Sequence, residues 1–302
     1  MAEPRKAEHS TPWRPVTRWA VLRSRAQILA QALSRAPRAQ ERPLSTGMFG
    51  NHGRRRSGMG EVFWQFRRYQ QPDAAAMIDW RASAKSDHLF IRQREEETAQ
   101  TYWIWCDQSA SMQFQSHLAE ESKADRALVL TLATALFFLE RGERVGLLGS
   151  GRKSFSTRAA LDQIEDVLRT RTDVDFTNLP IGHGSGRIIL IGDFHEQDEK
   201  LVHAVRLAQR RRLSGFLLQV LDPAEIDFPY DGHVQFTDTE TRGQEDVGRA
   251  EALRARYIEE MDHWRDKLSA IARSGGWGYV RHSTGREPLP PLRALTDFVA
   301  TR

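Results

Sequence analysis

From about residue 100 onward, short continuous apolar runs alternate with longer segments in which apolar residues recur every three or four positions. The apolar runs predict strands, at residues 102–106, 144–148, 187–191, 216–221 and 278–280. The periodic segments predict helices, at about residues 122–140, 159–168, 199–212, 246–273 and 292–299. Apolar strands that alternate with amphipathic helices are typical of an α/β domain, here a mostly parallel, Rossmann-type sheet with helices on both faces.

The first hundred residues have a different pattern. Apolar residues spaced three and four apart predict an N-terminal helix; they are Trp19, Leu22, Ala26, Leu29 and Leu33. Residues 37–60 are rich in Gly, Arg, Pro and Ser, as linkers are, and the strand-like pattern that begins at Glu61 predicts a small β appendage. We therefore divide the chain into a mobile tail at 1–15, a helix with the appendage at 16–98, and the α/β domain at 99–302.

Composition changes this picture little. The chain of 302 residues has 40% hydrophobic and 28% charged residues, which is ordinary for a globular protein. Its single cysteine, Cys106, excludes an intrachain disulfide framework and a cysteine-based zinc site. The net charge is only +4, but arginines concentrate in the first 60 residues, including the run Arg54 to Arg56. We favour a solvated arm for this run, and contact with phosphates or an acidic partner is the alternative.

No segment of the sequence predicts insertion into a membrane. The residues after Met1 include no apolar stretch that resembles a signal peptide. The longest apolar-leaning segment, 127–139, is shorter than the roughly 20 residues that a spanning helix needs. We therefore expect a cytoplasmic protein without a transmembrane segment, and the basic N-terminal helix leaves peripheral contact with a membrane surface open.

Two of the predicted strands end in an aspartate, at Asp107 and Asp193. After the first comes Asp107-Gln108-Ser109-Ala110-Ser111, which places one carboxylate and two hydroxyls on a strand-to-helix turn. Ligands of open α/β sheets bind at the carboxyl ends of the strands, and hard oxygen donors suit Mg²⁺, Mn²⁺ or Ca²⁺. Water or a carboxylate of a partner would complete the coordination shell. Asp and Ser are also ordinary helix caps, which is the alternative interpretation.

This pattern resembles the metal-ion-dependent adhesion site of von Willebrand A domains. The resemblance also includes Thr177 in Phe176-Thr177-Asn178-Leu179 and Asp193 in Ile191-Gly192-Asp193. It implies a von Willebrand A-like fold in which Ser109, Ser111 and Thr177 bind the metal directly or nearly so. It also implies that the aspartates act directly or through water, and that an acidic side chain of a ligand takes the open position.

A second motif lies upstream. Phe66-Arg67-Arg68-Tyr69-Gln70-Gln71-Pro72-Asp73 and Ile78-Asp79-Trp80-Arg81-Ala82-Ser83-Ala84-Lys85 are similar to the signature of the bacterial "domain of unknown function 58" family, as are residues 222–225 and 236–240. The resemblance implies a von Willebrand A-like domain that cooperates with a MoxR-type AAA+ ATPase. The sequence departs from the family in two features. Many members carry N-terminal transmembrane helices, which this sequence does not predict, and Pro72-Asp73 stands where the family usually has Gly-Asp.

The signature residues mix opposite charges with aromatic side chains; they are Arg67, Arg68, Tyr69, Asp73, Asp79, Trp80, Arg81 and Ser83. Such a set is typical of a buried ion-pair network, and a docking surface is the alternative. We favour a structural role for Asp79 and Trp80.

A near match to a phosphate-binding loop spans residues 146–153, but Arg152 stands where that loop requires lysine. The segment is more typical of a strand followed by a hairpin turn, so we do not expect an ATPase. The favoured hypothesis is a non-enzymatic, metal-dependent protein-interaction module that works with a MoxR-type AAA+ ATPase on an unknown client. The alternatives are a nucleic-acid-binding protein, through the arginine-rich N-terminal region, and a metal-dependent hydrolase, for which the site offers few carboxylates.

Overall fold

A computed structural model gives the fold of the chain. The structure describes residues 15–35, 56–58, 62–70, 78–84, 88–96, 99–151, 154–170, 175–179, 186–195, 197–237 and 243–301. The chain forms two compact units, here named the α/β unit (Met1–Gln40 with Thr101–Arg302) and the signature unit (Glu41–Gln100). The mobile tail predicted at 1–15 and the run Arg54–Arg55 lie almost wholly outside the described residues.

The helices and strands follow one another in the order that the sequence pattern predicts for most of the chain. The helices are α1 (Pro15–Arg35), α2 (Trp80–Ser83), α3 (Lys123–Leu139), α4 (Leu161–Thr170), α5 (Asp198–Arg210), α6 (Pro223–Asp227), α7 (Arg254–Ser274) and α8 (Leu289–Ala300). The strands are β1 (Arg56–Gly58), β2 (Val62–Arg68), β3 (Phe90–Glu96), β4 (Thr101–Cys106), β5 (Arg144–Leu147), β6 (Gly186–Gly192), β7 (Ser214–Leu221), β8 (Val234–Thr237), β9 (Gln244–Val247) and β10 (Gly278–Ser283). Short 3-10 turns occur at Ser111–Gln113, Arg158–Ala160 and Ala250–Ala252.

The α/β unit is built on a five-stranded sheet in the order β10-β7-β6-β4-β5, and every neighbouring pair is parallel. Alternate side chains of β4 enter two different cores. Tyr102, Ile104 and Cys106 pack with α1, α3, α4 and α8, whereas Trp103 and Trp105 pack with α5 and α7. Helices therefore cover both faces, which confirms the predicted α/β fold. Among the helices described, none is both long enough and apolar enough to cross a membrane.

The N-terminal helix α1 packs on α3. Its residues Leu22, Ala26, Ala30 and Leu33 are buried in the same core as α3, which confirms the predicted apolar stripe. Because α3 is covered by the sheet on one side and by α1 on the other, it is apolar nearly all round. The sequence division placed this helix with the β appendage, whereas it belongs to the α/β unit.

The signature unit contains the predicted small β appendage. Its three strands are antiparallel and lie in the order β1-β3-β2. Ile78 forms an isolated bridge with Ile91 of β3, and both side chains are buried. This bridge places the short helix α2 next to the sheet.

The helix predicted over residues 246–273 begins later than expected. Gln244–Val247 is the strand β9, which pairs antiparallel with β8, and α7 begins at Arg254. Val247 therefore lies opposite Val234 in a hairpin instead of extending the helical stripe. The sequence pattern did not reveal β8 because only alternate residues of this short strand are half-buried. Pairing with the neighbouring strand β8 overrode the local helical period.

Candidate metal centre

Four of the five predicted ligands meet where the connections of the sheet change direction. From β4 the chain passes to β5 on one side, and then crosses to β6 on the other side of β4. The carboxyl ends of β4 and β6 therefore flank the topological switch point, where open α/β sheets bind ligands. Asp107 directly follows β4 and Asp193 directly follows β6. The amide of Asp107 donates to the carbonyl of Ile191 at 2.8 Å, which fixes the two strand ends side by side.

The loop after β4 presents two hydroxyls to these carboxylates. The amide of Ser109 donates to Asp107 Oδ1 at 2.9 Å, so the loop folds back over its first residue. Ser109 Oγ lies 3.0 Å from Ser111 Oγ, and Ser111 Oγ donates to Asp193 Oδ2 at 2.8 Å. The fully buried Met112 anchors the following turn in the core. Hydrogen bonds thus connect four of the predicted ligands, Asp107, Ser109, Ser111 and Asp193.

Asp107 is buried and incompletely paired. The residue is only 2% exposed, and within the described part of the chain Oδ2 has no hydrogen-bond partner. Burial, reinforced by the neighbouring charge of Asp193, raises the pKa of Asp107 to about 6. A Cβ at Gly192 would lie 2.5 Å from Asp107 Cβ and 2.8 Å from Oδ2, so the glycine makes room for this carboxylate. A buried oxygen without a partner is costly unless a cation or a donor satisfies it.

Asp193, by contrast, is fully paired. Its Oδ2 accepts from Ser111 and from the ammonium of Lys123, whose Nζ lies 2.9 Å away. Its Oδ1 accepts from the amide of His195 at 3.1 Å. Burial acts to raise the pKa of Asp193, but the charges of Lys123 and His195 and the hydrogen bonds from Lys123 and Ser111 together outweigh it, and the pKa is lowered. Lys123 is wholly buried and also donates to Glu225 Oε1 at 2.6 Å.

Glu225 is held in place by the start of α6. Asp222 and Glu225 form a capping box: Asp222 Oδ1 accepts from the amide of Ala224 at 2.8 Å, and Glu225 Oε2 accepts from the amide of Asp222 at 2.7 Å. The other oxygen, Oε1, faces Lys123 and lies 3.6 Å from His195 Nε2. Burial lowers the pKa of His195, but the neighbouring carboxylates of Glu225 and Asp193 together outweigh it, and the pKa is raised.

The backbone bends sharply between Asp193 and His195. The intervening residue, Phe194, has a left-handed φ of 62° although it is not glycine, and its side chain is fully buried. Its ring packs near that of Trp105, with centroids 6.1 Å apart. Core packing therefore maintains a strained conformation that turns the His195 amide onto Asp193.

Thr177 is not connected to the other predicted ligands. Its hydroxyl donates to Asp175 Oδ2 at 2.8 Å, and its amide donates to Asp175 Oδ1 at 2.9 Å. The neighbouring Phe176 packs edge-on against Trp105 of β4, with ring centroids 4.8 Å apart. The structure thus anchors this loop on the sheet, but it gives the threonine hydroxyl a local partner.

The signature residues are divided between exposed and structural positions. Arg68, Trp80 and Arg81 are exposed, Tyr69 and Asp79 are half-buried, and Ser83 is buried. The hydroxyl of Ser83 donates to the carbonyl of Asp79 at 2.8 Å and accepts from the amide of Phe90 at 2.8 Å, which ties α2 to β3.

Trp80 is 66% exposed, which differs from the structural role favoured for it in the sequence. Arg67 lies in β2, and nothing is described of its side chain. Asp73 lies outside the described residues.

The described residues of the near match to a phosphate-binding loop form a strand and the start of a returning turn. After β5, the amide and carbonyl of Phe155 pair with those of Val145, at 2.6 and 2.8 Å. Gly149 and Gly151 adopt left-handed φ angles of 68° and 63° between them. A phosphate-binding loop leads into a helix instead, so the predicted hairpin turn is confirmed.

The oxygen atoms of hydroxyls and carboxylates are the metal ligands available at this centre. In the residues that the structure describes, no group of three or more His, Cys, Asp or Glu side chains is arranged to hold a metal ion. The donor set of Asp107, Ser109 and Ser111 is of a different kind, with one carboxylate and two neutral oxygens. It fits Mg²⁺, Mn²⁺ or Ca²⁺, because Asp107 Oδ2 is buried without a partner and the donors are all oxygen.

Comparison with known proteins identifies the family. The family described as "Protein of unknown function DUF58" matches residues 65–267. The chain belongs to this family. The match confirms the resemblance of the upstream motif and includes both Asp107 and Asp193. Uncharacterized proteins of Mycobacterium bovis and Mycobacterium tuberculosis are 24% identical over 293 residues, covering 91% of this chain and 90% of their own length.

Solved structures with some similarity to this DUF58 chain come from two Bacteroides species. One is the conserved hypothetical protein BatB from Bacteroides thetaiotaomicron, with 15% identity and a TM-score of 0.39. The other is an aerotolerance-related membrane protein from Bacteroides fragilis, with 15% identity and a TM-score of 0.42. Each comparison covers 68% of this chain and 100% of the solved chain.

Two charged residues of the centre were not predicted as members. Lys123 follows the loop after β4 in sequence, and its one signal is a lysine at the start of a mostly apolar helix. Glu225 belongs to the Asp-Pro-Ala-Glu motif, which the sequence showed only as part of the family pattern. His195, for which a solvated position was favoured, is half-buried next to Glu225.

Proposed function

We propose that this protein is a non-enzymatic, metal-dependent protein-interaction module. The observation that carries the proposal is Asp107 Oδ2, a buried carboxylate oxygen without a hydrogen-bond partner among the described residues. It lies in the loop that also presents Ser109 and Ser111 at the topological switch point. A divalent cation would satisfy this oxygen, whereas a plain helix cap would leave it unpaired.

The metal in this proposal is Mg²⁺, with Mn²⁺ or Ca²⁺ as alternatives. Asp107, Ser109 and Ser111 would hold the ion. Asp193 accepts a hydrogen bond from the Ser111 hydroxyl and would orient this ligand. Thr177, whose hydroxyl is bonded to Asp175, is not part of the proposed set. When bound, the ion supplies an electrophilic position that an Asp or Glu side chain of a partner can fill.

The proposed partner is a MoxR-type AAA+ ATPase, with a client protein of unknown identity. This association and the von Willebrand A-like character of the α/β unit are predictions from the sequence motifs, and the cytoplasmic location is a prediction from the apolar pattern of the sequence. The family match places the chain among the proteins of unknown function DUF58, the family from which the proposed association is taken. The chain itself is proposed to hydrolyse no nucleotide, since the one loop of suitable composition returns as a hairpin.

The nucleic-acid alternative has less support from the described residues. Three arginines of α1 pair with carboxylates of their own unit: Arg18 with Asp125, Arg23 with Asp162, and Arg25 with Glu121. Their charge is therefore partly neutralised within the fold. The apolar stripe of α1, which a membrane surface would need, is buried against α3.

A metal-dependent hydrolase also has less support. Metal-assisted hydrolysis with two ions needs several carboxylates that are free to bind them. Asp193 and Glu225 are both engaged by Lys123, which leaves Asp107 as the one carboxylate of this cluster without a cation.

The test compares partner binding by the wild type and by Ser109→Ala. Equilibrium binding to the purified MoxR-type ATPase is measured without nucleotide and at constant Mg²⁺, because the ATPase itself uses this ion. The substitution removes one neutral ligand, and we expect the Kd to rise at least about tenfold, which is about 1.4 kcal/mol. We expect the melting temperature in EDTA to stay unchanged, because the core is independent of the ion.

The control is Ser274→Ala, an exposed serine at the end of α7, near the opposite edge of the sheet. It should bind the ATPase as tightly as the wild type. If Ser109→Ala binds equally tightly, the metal is not the docking point, and the exposed signature residues Trp80 and Arg81 become the better candidate.

A further inference from the structure

Lys123 places a positive charge inside the proposed metal centre. It is the first residue of α3, directly after the N-cap Ser122, and its amide donates to the carbonyl of Phe114 at 3.2 Å. The side chain is wholly buried, with Nζ 2.9 Å from Asp193 Oδ2 and 2.6 Å from Glu225 Oε1. The backbone thus fixes the ammonium between two carboxylates that come from different elements.

An ammonium buried in this way must be paired, because the desolvation of an isolated charge costs several kcal/mol. Two carboxylates provide that pairing. They also keep Lys123 charged: burial acts to lower its pKa, but Asp193 and Glu225 outweigh it and the pKa is raised. The pairing is reciprocal, so Asp193 has donors on both of its oxygens.

The two strand-end aspartates therefore differ in what they can still bind. Asp107 has a buried oxygen without a partner, whereas both oxygens of Asp193 are occupied. We propose that Lys123 is a built-in cation of this centre, which takes Asp193 out of direct metal binding and confines a divalent ion to Asp107 and the serine hydroxyls. Lys123 is a positioning residue in this inference, which rests on the proposed function.

The consequence is a weakly held but strongly electrophilic ion. Three carboxylates and one ammonium give the cluster two net negative charges, but Asp193 and Glu225 are paired with Lys123, and only Asp107 offers a charged oxygen directly to the ion. A divalent ion with this one charged ligand would retain positive charge. Affinity for such ions rises with the number of charged ligands. Lys123 therefore lowers the affinity of the protein for the metal and reserves the remaining charge for an acidic side chain of the partner.

The experiment titrates Mn²⁺ alone into the full chain by calorimetry, for the wild type, Lys123→Met and Lys267→Met. The first variant keeps the length of the side chain and removes its charge. Lys267, which pairs with Asp198 on the protein surface, is the matched control for loss of one positive charge. We expect the Kd of Lys123→Met for Mn²⁺ to fall at least about tenfold, because Asp193 becomes available, and that of Lys267→Met to stay unchanged.

Lys123→Met leaves Asp193 and Glu225 without their cation, so the double variant Lys123→Met/Glu225→Gln is titrated as well. It restores the net charge of the cluster and still frees Asp193, and its Mn²⁺ affinity should also exceed that of the wild type. Mn²⁺ should raise the melting temperature of both variants more than that of the wild type.

The outcomes separate this inference from the proposed function. If the variants bind Mn²⁺ and the wild type does not, Lys123 replaces the metal and the proposed metal dependence is wrong. If all bind it equally, the inference about Lys123 is overturned and the metal centre stands. If none binds it, both are overturned.

Discussion

At the residue scale, the two aspartates of the centre, Asp107 and Asp193, occupy similar positions but differ in their bonding partners. Asp107 and Asp193 both follow a central strand and both are buried. The pKa of Asp107 is raised by burial and by Asp193, whereas Lys123, His195 and Ser111 together overcome burial and lower the pKa of Asp193. In our proposal, this buried lysine decides which aspartate is left for a metal.

Gly192 is the residue that gives Asp107 its space. Gly192→Ala would place a methyl group 2.5 Å from Asp107 Cβ, and neither backbone is free to move far. We expect the free energy of unfolding to fall by about 1–3 kcal/mol and Mn²⁺ binding to be lost. Urea unfolding and calorimetry check this, with Gly248→Ala as the control, since no atom lies within 4 Å of the added methyl there. Wild-type behaviour of Gly192→Ala would show that the carboxylate does not need this space.

His282 gives the stability of the fold a defined pH dependence. Burial, and then the charge of Arg126, lower its pKa to about 3, and Arg126 Nη1 donates to Nε2 at 2.7 Å. The folded-state pKa lies below the unfolded value of 6.5, so stability is lost as the pH falls from 6.5 towards 3. Between pH 6.5 and 5 this amounts to about 2 kcal/mol.

His282→Gln keeps an acceptor for Arg126 and cannot be protonated. We expect the loss of unfolding free energy between pH 6.5 and 5, measured by urea titration, to be about 2 kcal/mol smaller than in the wild type. The exposed His263→Gln should leave the profile unchanged. An unchanged profile for His282→Gln would mean that the buried imidazole takes up its proton in the folded state.

At the element scale, α1 is an integral part of the α/β unit. Leu22 is 3% exposed in the core that α1 shares with α3, whereas Ile28 on the outer side is 63% exposed. We expect Leu22→Ala to reduce the free energy of unfolding by about 2–4 kcal/mol and Ile28→Ala by less than about 0.5 kcal/mol. Chemical denaturation measures both. Equal small effects would show that α1 is not docked on α3.

The elements could be predicted from the sequence where burial follows a simple period. Continuous apolar runs identified the strands of the sheet because these strands are covered on both faces. The start of α7 was misplaced because the β8–β9 hairpin depends on a partner strand and not on its own composition. Short, half-exposed strands of this kind have no strong local signal.

At the scale of the whole molecule, topology explains why part of the centre could be predicted. Asp107 and Asp193 are far apart in sequence, but each directly follows a strand. The carboxyl ends of parallel strands lie at the same edge of the sheet, which brings the two residues together. The roles of Lys123 and Glu225 could not be predicted. The sequence places one at the start of a helix and the other in a capping box, but it does not show that the two side chains are in contact. Thr177 was predicted from a short motif, and its hydroxyl has a local partner in Asp175 instead.

The central claim is that the loop after β4 binds a divalent ion through Asp107. Calorimetric titration of Mn²⁺ into the wild type and into Asp107→Ala tests it most directly, with Asp166→Ala, an exposed aspartate on α4, as the control. The account predicts one saturable site in the wild type and in the control, and affinity at least about tenfold weaker in Asp107→Ala, a difference of about 1.4 kcal/mol. Equal Mn²⁺ binding by the wild type and Asp107→Ala would contradict it.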